Sequence, residues 1–311
     1  PVRPGPDETR AHTCRSGINV RAYDPRTDRS RGGSRSGLAK YIPAAVVANT
    51  LITDLNVVTT TGITPPSGGS VQSSQYGRVV TLVAVCQGNV YTAAPGDLTW
   101  NTPTNNSGAT PPLNSSGLVF SSANNQKLYF VDGTNYRYYV PATDSVETWT
   151  ASAGTLPVDA GGNKARLIST YRGRTVVAGL EDDPQNWFMS AVGDPHDWDY
   201  DPADTNVAQA VAWNNSDLGF IGDVITCLIP YTDDTHIFGG DSSIYMMRGD
   251  PMAGGQIDLI SKAIGMAWGQ AWCMDPVGTI YFMSNRMGVV TLIPGQQPVR
   301  ISQGIEKLLQ A

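Results

Sequence analysis

The densest group of chemically capable side chains lies between Glu181 and Asp204, in the run EDDPQNWFMSAVGDPHDWDYDPAD. Eight carboxylates fall there, with no Lys or Arg among them. Such a set can hold a divalent cation, supply an acid and a base for glycoside hydrolysis, or face water in a turn. Asp197, Asp199 and Asp201 alternate as in the first half of an EF-hand calcium loop. The pattern then breaks: Pro202 stands where that loop needs its turn glycine, and Ala208 where it needs a bidentate glutamate. A solvated acidic turn is therefore favoured over a calcium site. The neighbours Asp182 and Asp183 also read poorly as a glycosidase pair, because adjacent residues in an exposed turn seldom converge on one bond.

The other reactive types do not converge. His12, His196 and His236 are scattered, and neither a metal triad nor a nucleophile elbow is visible. GGNKAR at Gly161 to Arg166 lacks the first glycine of a phosphate loop and the hydroxyl residue after the lysine. Cys14, Cys86, Cys227 and Cys273 are far apart, with no CxxC pair. Cys86, Cys227 and Cys273 sit in apolar runs and are expected to be buried small hydrophobes, as suits a reducing cytoplasm. No catalytic residue, metal or cofactor is assigned, and the expectation is a protein that is not an enzyme. His236, in DDTHIFGG, is expected in a strand with a structural role.

Within the acidic run, SAVGDPHDW has a mechanical reading as a turn. Asp194 bonds its own turn, Pro195 fixes φ, and Trp198 lies back on the edge of a sheet. APGDLTW, from Ala94 to Trp100, looks like a weaker copy.

The elements that must position these residues are short strands. The chain of 311 residues has 33 Gly and 21 Pro but only 15% charged residues, a turn-rich all-β profile. Runs rich in Val, Ile, Tyr, Phe and Thr recur between Gly, Pro, Asn and Asp. The clearest are VYTAA, LYFVD, TVVAG, THIFG and TIYFM, each taken as the second strand of a unit. Their loose spacing, roughly 40–50 residues, is that of a β-propeller of about five to six divergent blades. A sixth unit could begin in Ala45 to Thr61, and a two-sheet sandwich is the plainer alternative. Residues 41–303 form this body. Residues 304–311 read as a short helix or linker, capped by Ser302 and expected to continue beyond Ala311. No apolar run approaches eighteen residues, so no membrane span is expected, and no signal-peptide core is seen behind the opening PVRPGP.

Residues 1–40 differ from the body. They carry nine Lys or Arg against four Asp or Glu, a charge of +5, whereas the remaining 271 residues carry −11. This basic arm has too few large apolar residues for a core of its own. Arg21, Arg26, Arg29, Arg31, Arg35 and Lys40 suit docking onto carboxylates of a partner protein. Binding to DNA phosphate is the lesser reading, because only Tyr23 and Tyr41 are at hand for base stacking.

The arm's NVRAYDPRTDRSRGGSRSGLAKY resembles the opening of tail nozzle proteins (tail tubular protein B-like) and phage stabilisation proteins of short-tailed bacteriophages. The family usually has Pro where Ala22 and Ser36 stand. The run from Arg166 to Tyr200 and the phrases THIFGGDSSIYMMRGDP and GTIYFMSNRMGVVTL resemble the family in the same order. The resemblance implies a virion structural protein, assembled in the host cytoplasm. It implies a homo-oligomer, hexameric in the family, below the portal and adaptor ring, through which genome DNA passes without specific binding. An acidic body suits such a duct, since each basic residue facing the lumen would grip the duplex. Two alternatives remain. One is a glycan-binding propeller of a tail fibre, using Trp100, Tyr136, Trp149 and Trp213 as stacking surfaces. The other is a head or tail stabilising protein without a channel.

Overall fold

The computed structural model describes residues 20–21, 33–34, 42–61, 78–201, 203, 206–213 and 218–302. It divides into residues 1–43 and 44–311. In the first unit, β1 (Val20–Arg21) pairs antiparallel with β2 (Gly33–Ser34). Arg26, Arg29, Arg31, Arg35, Lys40, the side chain of Arg21, Cys14, His12 and the expected helix at 304–311 lie outside the described residues.

The second unit is all-β, with no helix among the described residues. Sheet 1 holds β3 (Ile52–Thr61), β4 (Arg78–Cys86) and β5 (Asn89–Ala93). Next come β6 (Thr104–Asn105), β7 (Phe120–Asn124), β8 (Lys127–Val131), β9 (Tyr136–Val140) and β10 (Ser145–Thr148). Of these, β7 to β10 form the antiparallel meander of sheet 2, and β6 joins its edge parallel to β10. After β11 (Ala153–Gly154) come β12 (Leu167–Tyr171), β13 (Arg174–Ala178), β14 (Trp187–Met189), β15 (Asp197–Trp198) and β16 (Val211–Ala212). Sheet 3 is ordered β12-β13-β14-β16, while β15 leaves it to pair in parallel with β11. Sheet 4 is the meander β17 (Ile225–Thr232), β18 (Thr235–Gly240), β19 (Ile244–Arg248), β20 (Gln256–Ser261). Sheet 5 is β21 (Trp272–Met274), β22 (Ile280–Ser284), β23 (Gly288–Leu292), β24 (Val299–Arg300).

The first strands β3, β7, β12 and β17 neighbour one another in turn. Successive meanders with adjacent first strands are the radial order of a β-propeller, not a sandwich. Two details differ from the sequence reading. VYTAA is the third strand of its sheet. The second strands are β4, β8, β13, β18 and β22, whose starts lie 45 to 61 residues apart. Ile52–Thr61 does not open a sixth unit either, because it pairs along its length with β4.

The turns explain the meanders. Gln87-Gly88, Asn125-Gln126 and Arg172-Gly173 each have positive φ at both positions. That is the type I′ geometry whose twist matches the flanking strands. The second strands are buried on both faces: Leu128 to Val131 and Arg174 to Ala178 are all buried. This is why they read as continuous apolar runs rather than alternating ones.

Apolar clusters fill the joints between sheets. Val58, Val83 and Val90 meet Leu128, Phe130 and Tyr139 between sheets 1 and 2. Tyr129, Tyr136 and Trp149 meet Val177, Trp187 and Trp198 between sheets 2 and 3. Cys227, Ile237 and Met246 meet Ile280, Phe282 and Val290 between sheets 4 and 5.

Each joint also carries polar ties. Ser121 Oγ donates to Asp54, and Asn56 Nδ2 to Ser121 Oγ at 3.1 Å. Asn124 Nδ2 reaches Thr175 Oγ1 at 2.9 Å. Ser169 Oγ meets His236 Nε2 at 2.7 Å. Asn285 Nδ2 reaches Asp241 Oδ1 at 2.9 Å.

Two of these ties hold titratable groups against their preference. Burial pushes the Asp54 pKa up to about 6, with the Ser121 hydrogen bond pulling it partly back. Burial lowers that of His236 to about 3. Their signs oppose. The folded state binds the Asp54 proton more readily than the unfolded chain, so that group's contribution to stability falls as pH rises from about 4 to 6. His236 binds its proton only when unfolded, so its contribution is lost as pH falls below about 6.5.

Each slope approaches about 1.4 kcal/mol per pH unit, and over pH 4–6 they offset. We expect Asp54→Asn to lose stability on acidification through that window relative to the parent, by roughly that slope. Urea unfolding at pH 4, 5, 6 and 7 measures the difference. Parallel curves for the two proteins would refute the assignment.

Candidate functional site

The described part of the acidic run forms a clasp between sheets. Asp194 Oδ1 accepts the His196 N–H at 2.9 Å, and the Asp194 N–H donates to Ala191 O at 3.3 Å. Asp197 Oδ1 accepts the Asp199 N–H at 3.1 Å, and Asp201 Oδ1 the Ala203 N–H at 2.9 Å. Each carboxylate closes its own local turn. Asp183 accepts from Asn186, and the Asp182 N–H donates to Asp159 Oδ2 at 3.3 Å. Among the described residues, no three His, Cys, Asp or Glu side chains gather as a metal site would require.

The clasp reaches from sheet 3 back onto sheet 2. The carbonyl of buried Pro195 accepts two indole N–H groups, from Trp149 at 2.9 Å and from Trp198 at 2.8 Å. Both rings are buried. The His196 ring stands edge-on to Tyr129 and Tyr138, and its Nδ1 lies 2.8 Å from Thr150 O. The Ser152 N–H donates to His196 O at 2.7 Å. β11 can pair this closely with β15 only through Gly154, where a Cβ would stand 2.1 Å from Trp198 O. Trp198 thus enters the joint between sheets instead of lying on a sheet edge. The copy at Ala94 to Trp100 shares the backbone turn. Asp97 N–H meets Ala94 O at 3.1 Å, and Gly96 and Gly193 both have positive φ. Trp100, however, is only half-buried.

Other predicted residues are rearranged. Tyr136 and Trp149 are buried and offer no sugar-stacking surface, because the sheet 2–3 joint takes them. Trp213 is half-buried and tilts against Phe220, with ring centres 5.5 Å apart. Cys273 is exposed, unlike Cys86 and Cys227, because it points to the outer side of sheet 5. His236 is fully buried in β18. The Ser302 hydroxyl accepts the Val289 N–H at 3.1 Å and donates to Met287 O at 3.3 Å, which ties it to β23; the helix it was expected to cap lies outside the described residues. Sequence reasoning passed over Arg174, which is wholly buried and donates to the carbonyls of Ser190, Val207 and Gln209. It holds the return of the chain toward β16.

Two surfaces remain open among the described residues. The series of sheets starts at sheet 1 and stops at sheet 5, and the outward faces of both are apolar. On β3, Leu55 and Val57 are 59% and 44% exposed, while Asp54 and Val58 turn inward. Their cross-strand partners are Ala84 and Leu82. On sheet 5, Cys273, Tyr281, Thr291 and Val299 form one cross-strand row and Met283 and Val289 the next. Val299 is 60% and Met283 37% exposed.

A third feature is a groove of about 380 Å³ on the side where β7, β12 and β21 begin and β8 and β13 end. Asn114, Asp132, Arg166, Glu181 and Trp268 are on its wall. The loop before β21 crosses this side. Ala267 N–H donates to Met283 O and Gly269 N–H to Thr226 O, both at 2.8 Å. Gly269 has φ +85°, and a Cβ there would meet the Phe120 ring at 2.4 Å. The loop thus touches sheets 2, 4 and 5. No helix of the described residues is long and apolar enough to cross a membrane.

No family model and no curated protein sequence matches the chain. Several solved structures are similar to part of the chain. The extracellular domain of the putative hybrid two component system BT4673 from B. thetaiotaomicron is 9% identical, with TM-score 0.47, over 75% of this chain and 28% of that one. YCF48 from Cyanidioschyzon merolae is 11% identical, with TM-score 0.43, over 68% of this chain and 65% of that one. PorZ, a bacterial surface component of the type-IX secretion system of Porphyromonas gingivalis, is 12% identical, with TM-score 0.39, over 68% and 31%. The chain therefore spans less than a third of the length of the first of these. At such identities the likeness concerns fold alone.

Replacing Trp198 by Ala removes a buried ring and one of the two indole donors on Pro195 O. We expect a loss of about 3–5 kcal/mol. Pro195→Ala keeps the carbonyl and should cost about 1 kcal/mol or less. Urea midpoints of the two variants decide this, and equal effects would disprove the clasp.

Proposed function

We propose that the chain is a structural subunit of a bacteriophage tail, of the nozzle kind, with no catalytic role. The observation that carries this reading is the pair of open apolar sheet faces, Leu55 and Val57 at one end of the series and Met283 and Val299 at the other. Every inner face of the series is packed against a neighbouring sheet. Leaving the last two in water forfeits burial worth about 25 cal/mol per Å². The occupant proposed is a neighbouring copy of the chain. Sheet 5 of one copy meets sheet 1 of the next, in the head-to-tail manner that closes into a ring.

A ring of six below the portal and adaptor then encloses the lumen, in the virion. In this reading genome DNA passes between subunits, not along the axis of one propeller. A net charge of −11 outside residues 1–40 disfavours gripping it. The basic arm, with Arg21, Arg26, Arg29, Arg31, Arg35 and Lys40, docks on carboxylates of the adaptor or of the next subunit.

Native mass spectrometry of the purified chain is expected to show a ring, and Val57→Lys or Met283→Lys to return it to monomer without unfolding. A parent protein that stays monomeric at high concentration would overturn the end-face reading. Deleting residues 1–40 is expected to leave a folded body that no longer enters virions. Complete, infectious particles built from the truncated chain would refute the role of the arm.

A further inference from the structure

We infer that the groove between the Asp132–Thr134 turn, Arg166, Glu181 and Trp268 is a binding site for a neutral saccharide. This goes beyond the assembly reading and does not depend on it. Its volume, about 380 Å³, lies within the range of small-molecule sites. Its polar and apolar parts match the two sides of a sugar ring.

The apolar part is Trp268, 38% exposed. An exposed indole is held here at some effort. The peptide groups on both sides of it are anchored, Ala267 on Met283 O and Gly269 on Thr226 O. The ring edge lies against Gly179, where a Cβ would approach its Cη2 to 3.2 Å. Glycine at that position gives the ring its seat. A rigid aromatic platform costs little entropy to use, and its π face accepts the polarised C–H face of a pyranose.

The polar part is the Arg166–Glu181 pair. Nη2 and Oε2 are 2.6 Å apart, and both side chains are partly exposed. The Arg166 stem is packed over Gly133, where a Cβ would meet Cγ and Nε at 3.0 Å. The pair offers guanidinium donors beside a carboxylate acceptor, the combination vicinal hydroxyls need, since each hydroxyl both donates and accepts. Asp132 keeps its charge, but Arg137 and Lys164 interact with it electrostatically, and it has little accepting capacity left for a ligand. Its oxygens already accept from the backbone of Asn114, Thr134 and Asn135 and from the Asn135 side chain. With Arg166 and Glu181 neutralising each other, the groove favours an uncharged ligand over an anion or a cation.

The test is a glycan array of neutral and acidic bacterial oligosaccharides probed with the full chain, followed by calorimetric titration of the best neutral hit. We expect neutral hexose or N-acetylhexosamine oligosaccharides to bind, with affinity nearly independent of salt. Trp268→Ala should weaken binding about tenfold. Glu181→Gln, at an exposed position that leaves the fold intact, should weaken it severalfold, and Trp268→Phe should retain most of it. No saccharide bound at millimolar concentration, affinity unchanged in Glu181→Gln, or preference for acidic glycans with steep salt dependence would each overturn the assignment.

Discussion

A sheet with apolar residues on both faces has no stable existence alone, and this molecule is organised by that constraint. Sheets 2, 3 and 4 are covered on both sides by their neighbours, so their second strands are buried throughout. Apolar packing by itself is indifferent to small slips between sheets. The polar ties remove that freedom. Asp54 with Ser121 and Ser169 with His236 each fix one sheet against the next, and Thr226 Oγ1 donating to Met266 O at 2.8 Å fixes sheet 4 against the loop before β21. A buried hydrogen bond of this kind contributes little net stability, but a slip that leaves its groups unsatisfied is expensive.

The acidity of the body has a structural cause. Many of its carboxylates are turn closures. Burial pushes the Asp223 pKa up, yet hydrogen bonds from Ser243, Ser242 and the Val224 backbone outweigh it and hold the carboxyl below its usual range. Asp275 accepts the Val277 and Thr279 N–H groups in the same way. The run from Glu181 to Asp204 belongs with these. Asp194, Asp197 and Asp201 serve backbone donors within their own turns, while Asp183 and Glu181 accept from the Asn186 and Arg166 side chains. The tryptophans beside it serve the joint between sheets 2 and 3.

What the sequence disclosed follows from where periodicity is strong. Doubly buried strands such as LYFV and TVVA announce themselves by composition, and type I′ turns, Asn125-Gln126 and Arg172-Gly173, lead into them. Outer strands were harder to read. Ser145–Thr148 is short and mostly polar, and Gln256–Ser261 mixes Gln, Asp and Ser with its apolar residues and is largely only half-buried, so neither stands out until it pairs. VYTAA is third in its sheet because β4, equally apolar, precedes it and takes the second place. Trp198 was recognised as a turn residue, but its depth depends on Trp149, 49 positions earlier, meeting it at Pro195 O. Trp268 carried no local signal: its exposure is created by Gly179 and Thr226, which only the fold brings near.

The radial order of the sheets also separates the two surfaces to which roles are assigned. The outward faces of sheets 1 and 5 point around the series, because each continues the stacking direction of the sheets within it. The groove opens instead on the side where first strands begin and second strands end, perpendicular to that direction. A copy seated on Leu55 and Val57, or on Met283 and Val299, therefore extends the stack without crossing the groove. Substitutions on the end faces leave the Arg166–Glu181 pair untouched, since its supports are Gly133 and the Ala178 carbonyl, which accepts the Arg166 N–H at 3.1 Å. The proposed assembly and the proposed ligand capture share one support, the Met283 carbonyl under the Trp268 loop, so Val57→Lys is the end-face substitution that stays clear of the groove.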